Sequence, residues 1–384
     1  MIMITRIKGN KIITPDGIIS GYVYFDGDKI TYVGSEEREY ASEIDAGDSY
    51  VSPGFIDIHT HGSDGVDYSS AKSVADVRRA LKCHLSHGAT TILPTVNSSS
   101  PERILNALAT LKAAISEGGE GSCVPGVHLE GPFFSTQQCG AQNTKYITAP
   151  NPDLYERVIG EYGDMILRWD YAPERDEGGK FCRTLAENGI LPSAGHTNAE
   201  YSDMVLALEC GMKLVTHLYS CTSTITRKGG FRVLGVTECA YLFDGLYVEI
   251  IADGRHLPPE LLRLIFKLKD HDKIILVTDS LSVAGTDATE GVLEGIEYLI
   301  EDGVCKLRDR SAFAGSIATA DRLVYIVTHE AGLDITEAVK MAAYNPAKLF
   351  GLNKGAIEAG RDADILVFDE EIKIERIILG GKTV

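Results

Sequence analysis

The chain has 384 residues, 44% of them hydrophobic and 24% charged, an ordinary globular composition long enough for a barrel of ~250 residues plus additional material. Its formal charge of −18, from 37 basic against 55 acidic residues, repels nucleic acid and anionic membranes, and no run approaches the ~18 apolar residues of a membrane span, so neither is expected as a partner. The eight cysteines contain no Cys-x-x-Cys pair and read as reduced thiols; Met1 to Ile13, broken by Arg6, Lys8 and Lys11, does not have the form of a secretory signal, so a cytoplasmic protein is expected.

Ile18 to Phe25 and Lys29 to Val33 read as strands around the turn Asp26-Gly27-Asp28. The pattern then changes to alternating strand and helix. Ser73 to His87 is amphipathic, with Ser73 as N-cap and Gly88 as the stop, and Ser100-Pro101 opens the next helix with proline at its first position. Further helices are expected over Asn198 to Cys210, Pro258 to Lys269 and Thr319 to Ala331. Between the helices lie eight short apolar runs: Gly54 to Ile58, Thr91 to Val96, Val124 to Leu129, Met165 to Tyr171, Ile190 to Ala194, Lys213 to Thr216, Val248 to Ala252 and Ile274 to Thr278. Each has the length of a buried parallel strand, which points to a closed barrel or a doubly wound sheet. From Gly355 the chain is strand-rich again, with Asp364 to Phe368 and Ile372 to Leu379.

Ionisable residues sit where these runs end. The first run ends in His59-Thr60-His61, the third in Glu130, the fifth in His196, the sixth in His217 and the eighth in Asp279. Four of the ten histidines and two carboxylates thus fall on the rim that a barrel uses for its active site. Residues two apart in a strand point to one side, so His59 and His61 can face one metal, and imidazole with carboxylate suits zinc, iron or a similar divalent ion. His128, two before Glu130, shares its face one layer lower and reads as a satisfied core histidine.

Several segments carry a resemblance to a known family. They are Pro53 to Gly62, His128-Leu129-Glu130-Gly131-Pro132-Phe133, Ala194-Gly195-His196-Thr197-Asn198-Ala199, Thr216-His217-Leu218-Tyr219, Ala252-Asp253-Gly254-Arg255-His256, Val277-Thr278-Asp279 and Ala314-Gly315-Ser316. Through them the chain resembles the amidohydrolase superfamily and, within it, the N-acetylglucosamine-6-phosphate deacetylases, over nearly its whole length. The resemblance implies an α/β fold: a (β/α)8 TIM barrel over 53–354, with a small β-sandwich domain formed by 1–52 and 355–384. It implies a metal-dependent deacetylase releasing acetate from N-acetylglucosamine 6-phosphate, with the galactosamine epimer or another N-acyl compound as the alternative substrate.

By the same resemblance Glu130, His196 and His217 are the primary ligands of a divalent metal, zinc or iron, and His59 with His61 allows a second ion. Asp279 stands as the general base that passes a proton from water to the leaving nitrogen. The fourth run holds Arg168 and no lysine, unlike relatives such as dihydroorotase that bridge two metals with a carboxylated lysine. The resemblance assigns the sugar phosphate to Arg227, often supplied by a neighbouring subunit, and to His256, with Arg232 as a competitor. It assigns the amide carbonyl to Gln142 of Gly140-Ala141-Gln142. After the sixth strand the chain departs from the family's Asn-Ala-Met, carrying Ser220-Cys221-Thr222 instead, so Ser220 and Cys221 are candidate substrate contacts. A homodimer is expected from the resemblance.

Overall fold

The computed structural model describes residues 4–384; Met1 to Met3, part of the leader reading, lie outside them. Eight parallel strands run in sequence order around one sheet: Phe55–Thr60, Ala89–Asn97, Val127–Glu130, Ile166–Tyr171, Leu191–Ala194, Leu214–Val215, Tyr247–Ile250 and Ile274–Leu276. The first and eighth meet at their C-terminal ends, where the Asp279 N–H donates to His59 O and the His61 N–H to Ser280 O, both at 2.9 Å. These two bonds close the ring at the rim that carries the candidate ligands.

The strands read as apolar runs because both faces are covered. Ile56, Ile58, Leu93, Leu214, Ile275 and Val277 fill the lower interior of the barrel. The outer face packs against helices, in a core that includes Trp169, with Phe133 stacked on it at 5.7 Å and Phe181 edge-on at 5.2 Å. Two helix starts follow from their caps. Ser73 Oγ accepts from the Asp76 N–H at 3.2 Å ahead of Val74–Ser86, and Ser100 Oγ accepts from the Arg103 N–H at 3.4 Å ahead of Pro101–Ser116.

The helix expected from Asn198 begins only at Tyr201 and runs to Glu209. The Glu174 carboxylate holds the Thr197 hydroxyl and the Asn198 N–H, both at 2.6 Å, keeping that segment extended until Glu200 and Asp203 cap the helix. The helix expected over Thr319 to Ala331 changes pitch midway, α over Ala320–Tyr325 and π over Ile326–Glu330.

Both ends of the chain meet in a seven-stranded sheet. Ser42–Pro53 lies at its centre, parallel to Thr5–Thr14 on one side and antiparallel to Ile365–Phe368 on the other. One face of this sheet buries Ile7, Val23, Val51, Ile365 and Val367, while Leu366, Phe368 and Ile377 turn toward the barrel core. A further four-stranded antiparallel sheet, Glu290–Leu293, Ile296–Glu301, Val304–Leu307 and Phe313–Gly315, follows the eighth barrel strand. The Glu294 carboxylate ties it to the barrel through Ser99 at 2.9 Å and Arg103 at 2.7 Å.

Candidate metal centre

At the C-terminal rim the ionisable side chains form two trios around one carboxylate. In the first, Glu130 Oε1 lies 3.0 Å from His196 Nε2 and 3.2 Å from His217 Nε2. In the second, His61 Nε2 lies 3.0 Å and His59 Nε2 3.6 Å from Asp279 Oδ1. Glu130 joins the two, being 3.4 Å from His61 through Oε2 and 3.6 Å from His59 through Oε1. All six side chains are buried.

The backbone fixes the first trio. His196 Nδ1 lies 2.9 Å from Gln138 O, and His217 Nδ1 lies 3.0 Å from Ser220 O. An imidazole that donates from Nδ1 to a carbonyl keeps its Nε2 lone pair free for a cation. His196, His217 and Asp279 have φ of 45°, 28° and 45°, the left-handed region, which costs ~1–3 kcal/mol per residue and clusters at functional sites. Gly140 shows how closely the loops approach: it has φ +53°, and a Cβ there would come within 2.5 Å of Cys221 Sγ and 3.4 Å of the His196 ring.

The electrostatics are those of a site built for a cation. Burial alone would raise the Glu130 carboxyl, yet hydrogen bonds to His196 and His217 hold it well below the usual carboxylate range. Against the same desolvation, the bond to Glu130 pushes His217 up to about 9. Both shifts favour positive charge beside Glu130, the role that a divalent ion would fill. In the second trio, burial and the neighbouring His128 push His59 down, and its buried Nε2 has no hydrogen-bond partner although it faces two carboxylates. Two carboxylates, four imidazoles and an unpaired buried nitrogen fit divalent zinc or iron.

A cavity of about 230 Å³ opens on this centre. It is lined by His61, Glu130, His196, His217 and Asp279, and by Gln142, Ser220, Cys221 and His256. Gln142 donates from Nε2 to Glu130 Oε2 at 2.7 Å, and its Oε1 accepts from the Ser98 N–H at 3.2 Å. His256 Nδ1 lies 2.7 Å from Asp253 Oδ2, while Asp253 Oδ1 takes the Arg255 and His256 N–H groups at 2.8 Å. Arg227 stands apart. It lies on an exposed hairpin, Thr226–Lys228 with Phe231–Val233, opposite Arg232, and is not among the cavity-lining residues. A larger cavity of about 720 Å³, between the terminal sheet and the barrel's outer helices, contains none of the rim groups.

Sequence reasoning missed two features. Leu293 and Phe313, from the four-stranded sheet, form an apolar wall of the cavity, and the Phe313 ring meets His256 edge-on at 5.0 Å. Beneath the rim, Arg168, Asp170 and Glu249 are fully buried together with His128. His128 Nδ1 bonds Thr95 Oγ1 at 3.0 Å, but its buried Nε2, 3.0 Å from Asp170 Oδ2, makes no hydrogen bond, so the core histidine expected from the sequence is only half satisfied. Charged residues inside otherwise apolar strand runs were the available signal for this layer.

Comparison with known proteins agrees with this construction. The amidohydrolase family pattern matches residues 50–384. The N-acetylglucosamine-6-phosphate deacetylase of Bacillus subtilis (strain 168) is 32% identical over 386 residues, covering 98% of this chain and 96% of that protein. Its namesake from Rattus norvegicus is 30% identical over 390 residues, covering 98% and 93%. The crystal structure of the N-acetylglucosamine-6-phosphate deacetylase from Pasteurella multocida superposes with a TM-score of 0.93 at 27% identity, covering all of both chains. With the rim cluster, barrel and full-length likeness in agreement, this chain belongs to the amidohydrolase family, among the N-acetylglucosamine-6-phosphate deacetylases.

Proposed function

We propose that this protein hydrolyses the acetamide of N-acetylglucosamine 6-phosphate, giving glucosamine 6-phosphate and acetate. The observation that carries the reading is Glu130 bridging two trios of buried ligands, with Asp279 facing the cavity beside them. Glu130, His196 and His217 would hold one divalent cation, and His59, His61 and Asp279 a second; zinc and iron both suit the donor set. Such an ion supplies Lewis acidity, polarising the amide carbonyl and making water a nucleophile near neutral pH.

The chain's own residues do the rest. Asp279 accepts the water proton on its carboxylate and delivers it to the departing nitrogen. Gln142, lying against Glu130, orients that carboxylate with one N–H and offers its other to the carbonyl oxygen. His256, fixed by Asp253 through Nδ1, offers Nε2 to a phosphate, and Ser220 and Cys221 line the sugar side. Arg227 completes the phosphate site of a second copy of the chain. Its hairpin supports that arrangement: beside the arginine, Ile225 is 49% exposed and Phe231 79% exposed, apolar surface that a homodimer would cover. Among the described residues no helix is long and apolar enough to cross a membrane, and we assign the protein to the cytoplasm.

A second reading, hydrolysis of an unphosphorylated N-acyl compound, draws on Ser220-Cys221-Thr222 and on the distance of Arg227 from its own cavity. Acetate release from N-acetylglucosamine 6-phosphate and from the unphosphorylated sugar, by protein loaded with zinc or iron, separates the two. Turnover of the phosphorylated sugar alone is expected. Equal turnover of both would favour the second reading, and turnover of neither would exclude this substrate.

A further inference from the structure

The interior of a (β/α)8 barrel is ordinarily filled by branched apolar side chains. Here the layer directly under the rim is ionic. Glu249, on the inner face of Tyr247–Ile250, is fully buried and accepts from Arg168 Nη1. Its Oε2 lies 3.3 Å from His59 Nδ1 and 3.4 Å from the His217 N–H. Arg168 Nη2 donates to Asp170 Oδ1 at 2.9 Å and to Thr216 Oγ1 at 3.0 Å, and Nη1 reaches Ile58 O at 3.4 Å.

Stability does not account for this layer. Desolvating such charges offsets most of their attraction, and replacing a buried ion pair with well-packed apolar groups is often neutral or stabilising. What the network does supply is a direction. A histidine that donates Nδ1–H to a carboxylate presents its lone pair on Nε2, and His59 Nε2 is a buried nitrogen without a hydrogen-bond partner, 3.6 Å from both Glu130 and Asp279. The two trios are therefore oriented by different means. Backbone carbonyls of Gln138 and Ser220 orient His196 and His217, whereas His59 depends on one side chain, which Arg168 holds in place.

We propose that Glu249, anchored by Arg168, is the positioning residue for His59, and that it gives the His59–His61–Asp279 trio its capacity to hold a second divalent cation. The inference rests on the two-cation reading of the site and adds that the second ion has its own, separable support. Losing the Glu249 carboxylate would remove its long bond to the His217 N–H but leave the His196 and His217 rings on their backbone carbonyls, and it would turn His59 free to donate from Nε2, closing the second site.

The test is a titration of metal-free, full-length protein with cobalt(II), counting bound ions by equilibrium dialysis and following the visible absorption. Wild-type protein is expected to take up two ions. E249Q is expected to keep the affinity of the first while the second weakens by ~10–100-fold, the usual effect of removing an outer-layer partner of a ligand. Glu249→Asp, which keeps a charge for Arg168 but withdraws the carboxylate from His59, should show the same selective loss and serves if E249Q does not fold. H59Q alone should lose the second ion, and H59Q with E249Q should lose nothing more, because one variant acts through the other. Two ions bound by both Glu249 variants with wild-type affinity would overturn the positioning role while leaving the two-cation reading intact. Equal weakening of both ions would overturn it as well, marking a packing defect. A single ion in the wild-type protein would defeat both.

Discussion

Asp279 Oδ1 lies 3.0 Å from His61 Nε2, across the seam where the first and eighth barrel strands close the ring. The proposed general base is therefore held by the closure of the barrel itself, and its position does not depend on a mobile loop. Asp279→Asn keeps the shape and removes the proton acceptor. Turnover should fall by ~10²–10⁴-fold while KM changes little, since a base acts in the transition state and not in binding. Steady-state kinetics on the phosphorylated sugar decide it, and near-normal kcat would take Asp279 out of the mechanism.

Removing one proposed ligand of the first trio should cost metal and activity together. In His196→Ala, Glu130 loses a partner 3.0 Å away, and the loss of several kcal/mol of charge stabilisation should lower turnover by more than ~10²-fold. Elemental analysis of the purified variant should find less metal than in wild type. Full metal content with lost activity would mean that His196 binds substrate instead.

The proposed phosphate contacts make a different signature. Arg227→Ala and His256→Ala should each lower kcat/KM for the phosphorylated sugar by roughly 10–150-fold, the worth of a charge-assisted hydrogen bond of ~1.5–3 kcal/mol. Because Arg227 is proposed to act in the second copy's cavity, mixing Arg227→Ala with inactive Asp279→Asn subunits should give heterodimers with one fully wild-type and one doubly damaged cavity, whereas an arginine acting within its own chain would leave two singly damaged cavities. Recovery of activity on mixing would support the exchange between subunits. No recovery in demonstrated heterodimers would argue for a contact within one chain.

Two buried imidazoles make stability depend on acidity. Burial lowers His84, 3.0 Å from Thr60 Oγ1, to about 4, and burial together with Arg168 lowers His128 to about 4. A histidine depressed in the folded state stays neutral while the unfolded chain, with an ordinary value near 6.5, binds protons. Stability is then complete above pH ~6.5, falls as the pH drops toward ~4, and levels off below; each group contributes at most about 3 kcal/mol. Urea unfolding at several pH values should follow this slope, and His84→Gln should flatten it. An unchanged slope in that variant would remove His84 from the account.

Much of the barrel was legible because its strands are buried on both faces and its helix ends carry side-chain caps: Ser73 and Ser100 announce their helices chemically. The rim residues were legible for a related reason, each being an ionisable side chain at the end of an apolar run, and the structure gathers all six around Glu130, five of them lining one cavity. Other features left weaker traces. The strands over 290–315 are short and mix buried with half-exposed positions, so nothing in their pattern tells which residues turn toward the cavity, and Leu293 and Phe313 went unseen. Asn198 looked like a helix start because the hold of Glu174 on its N–H comes from 24 residues away. Glu249 was passed over as part of an apolar strand, since its importance lies in an approach to His59 across 190 residues of chain.

The seven-stranded sheet has a consequence for synthesis. Ser42–Pro53 hydrogen-bonds along one edge to Thr5–Thr14 and along the other to Ile365–Phe368. On a ribosome adding ~5–20 residues per second, the second partner emerges about 300 residues later, a delay on the order of 15–60 s. Throughout that interval the strand leading directly into His59 and His61 keeps one side of its backbone unpaired. The nascent protein therefore completes its metal-facing barrel while still carrying an open sheet edge, and only the last stretch of translation removes that opportunity for mispairing.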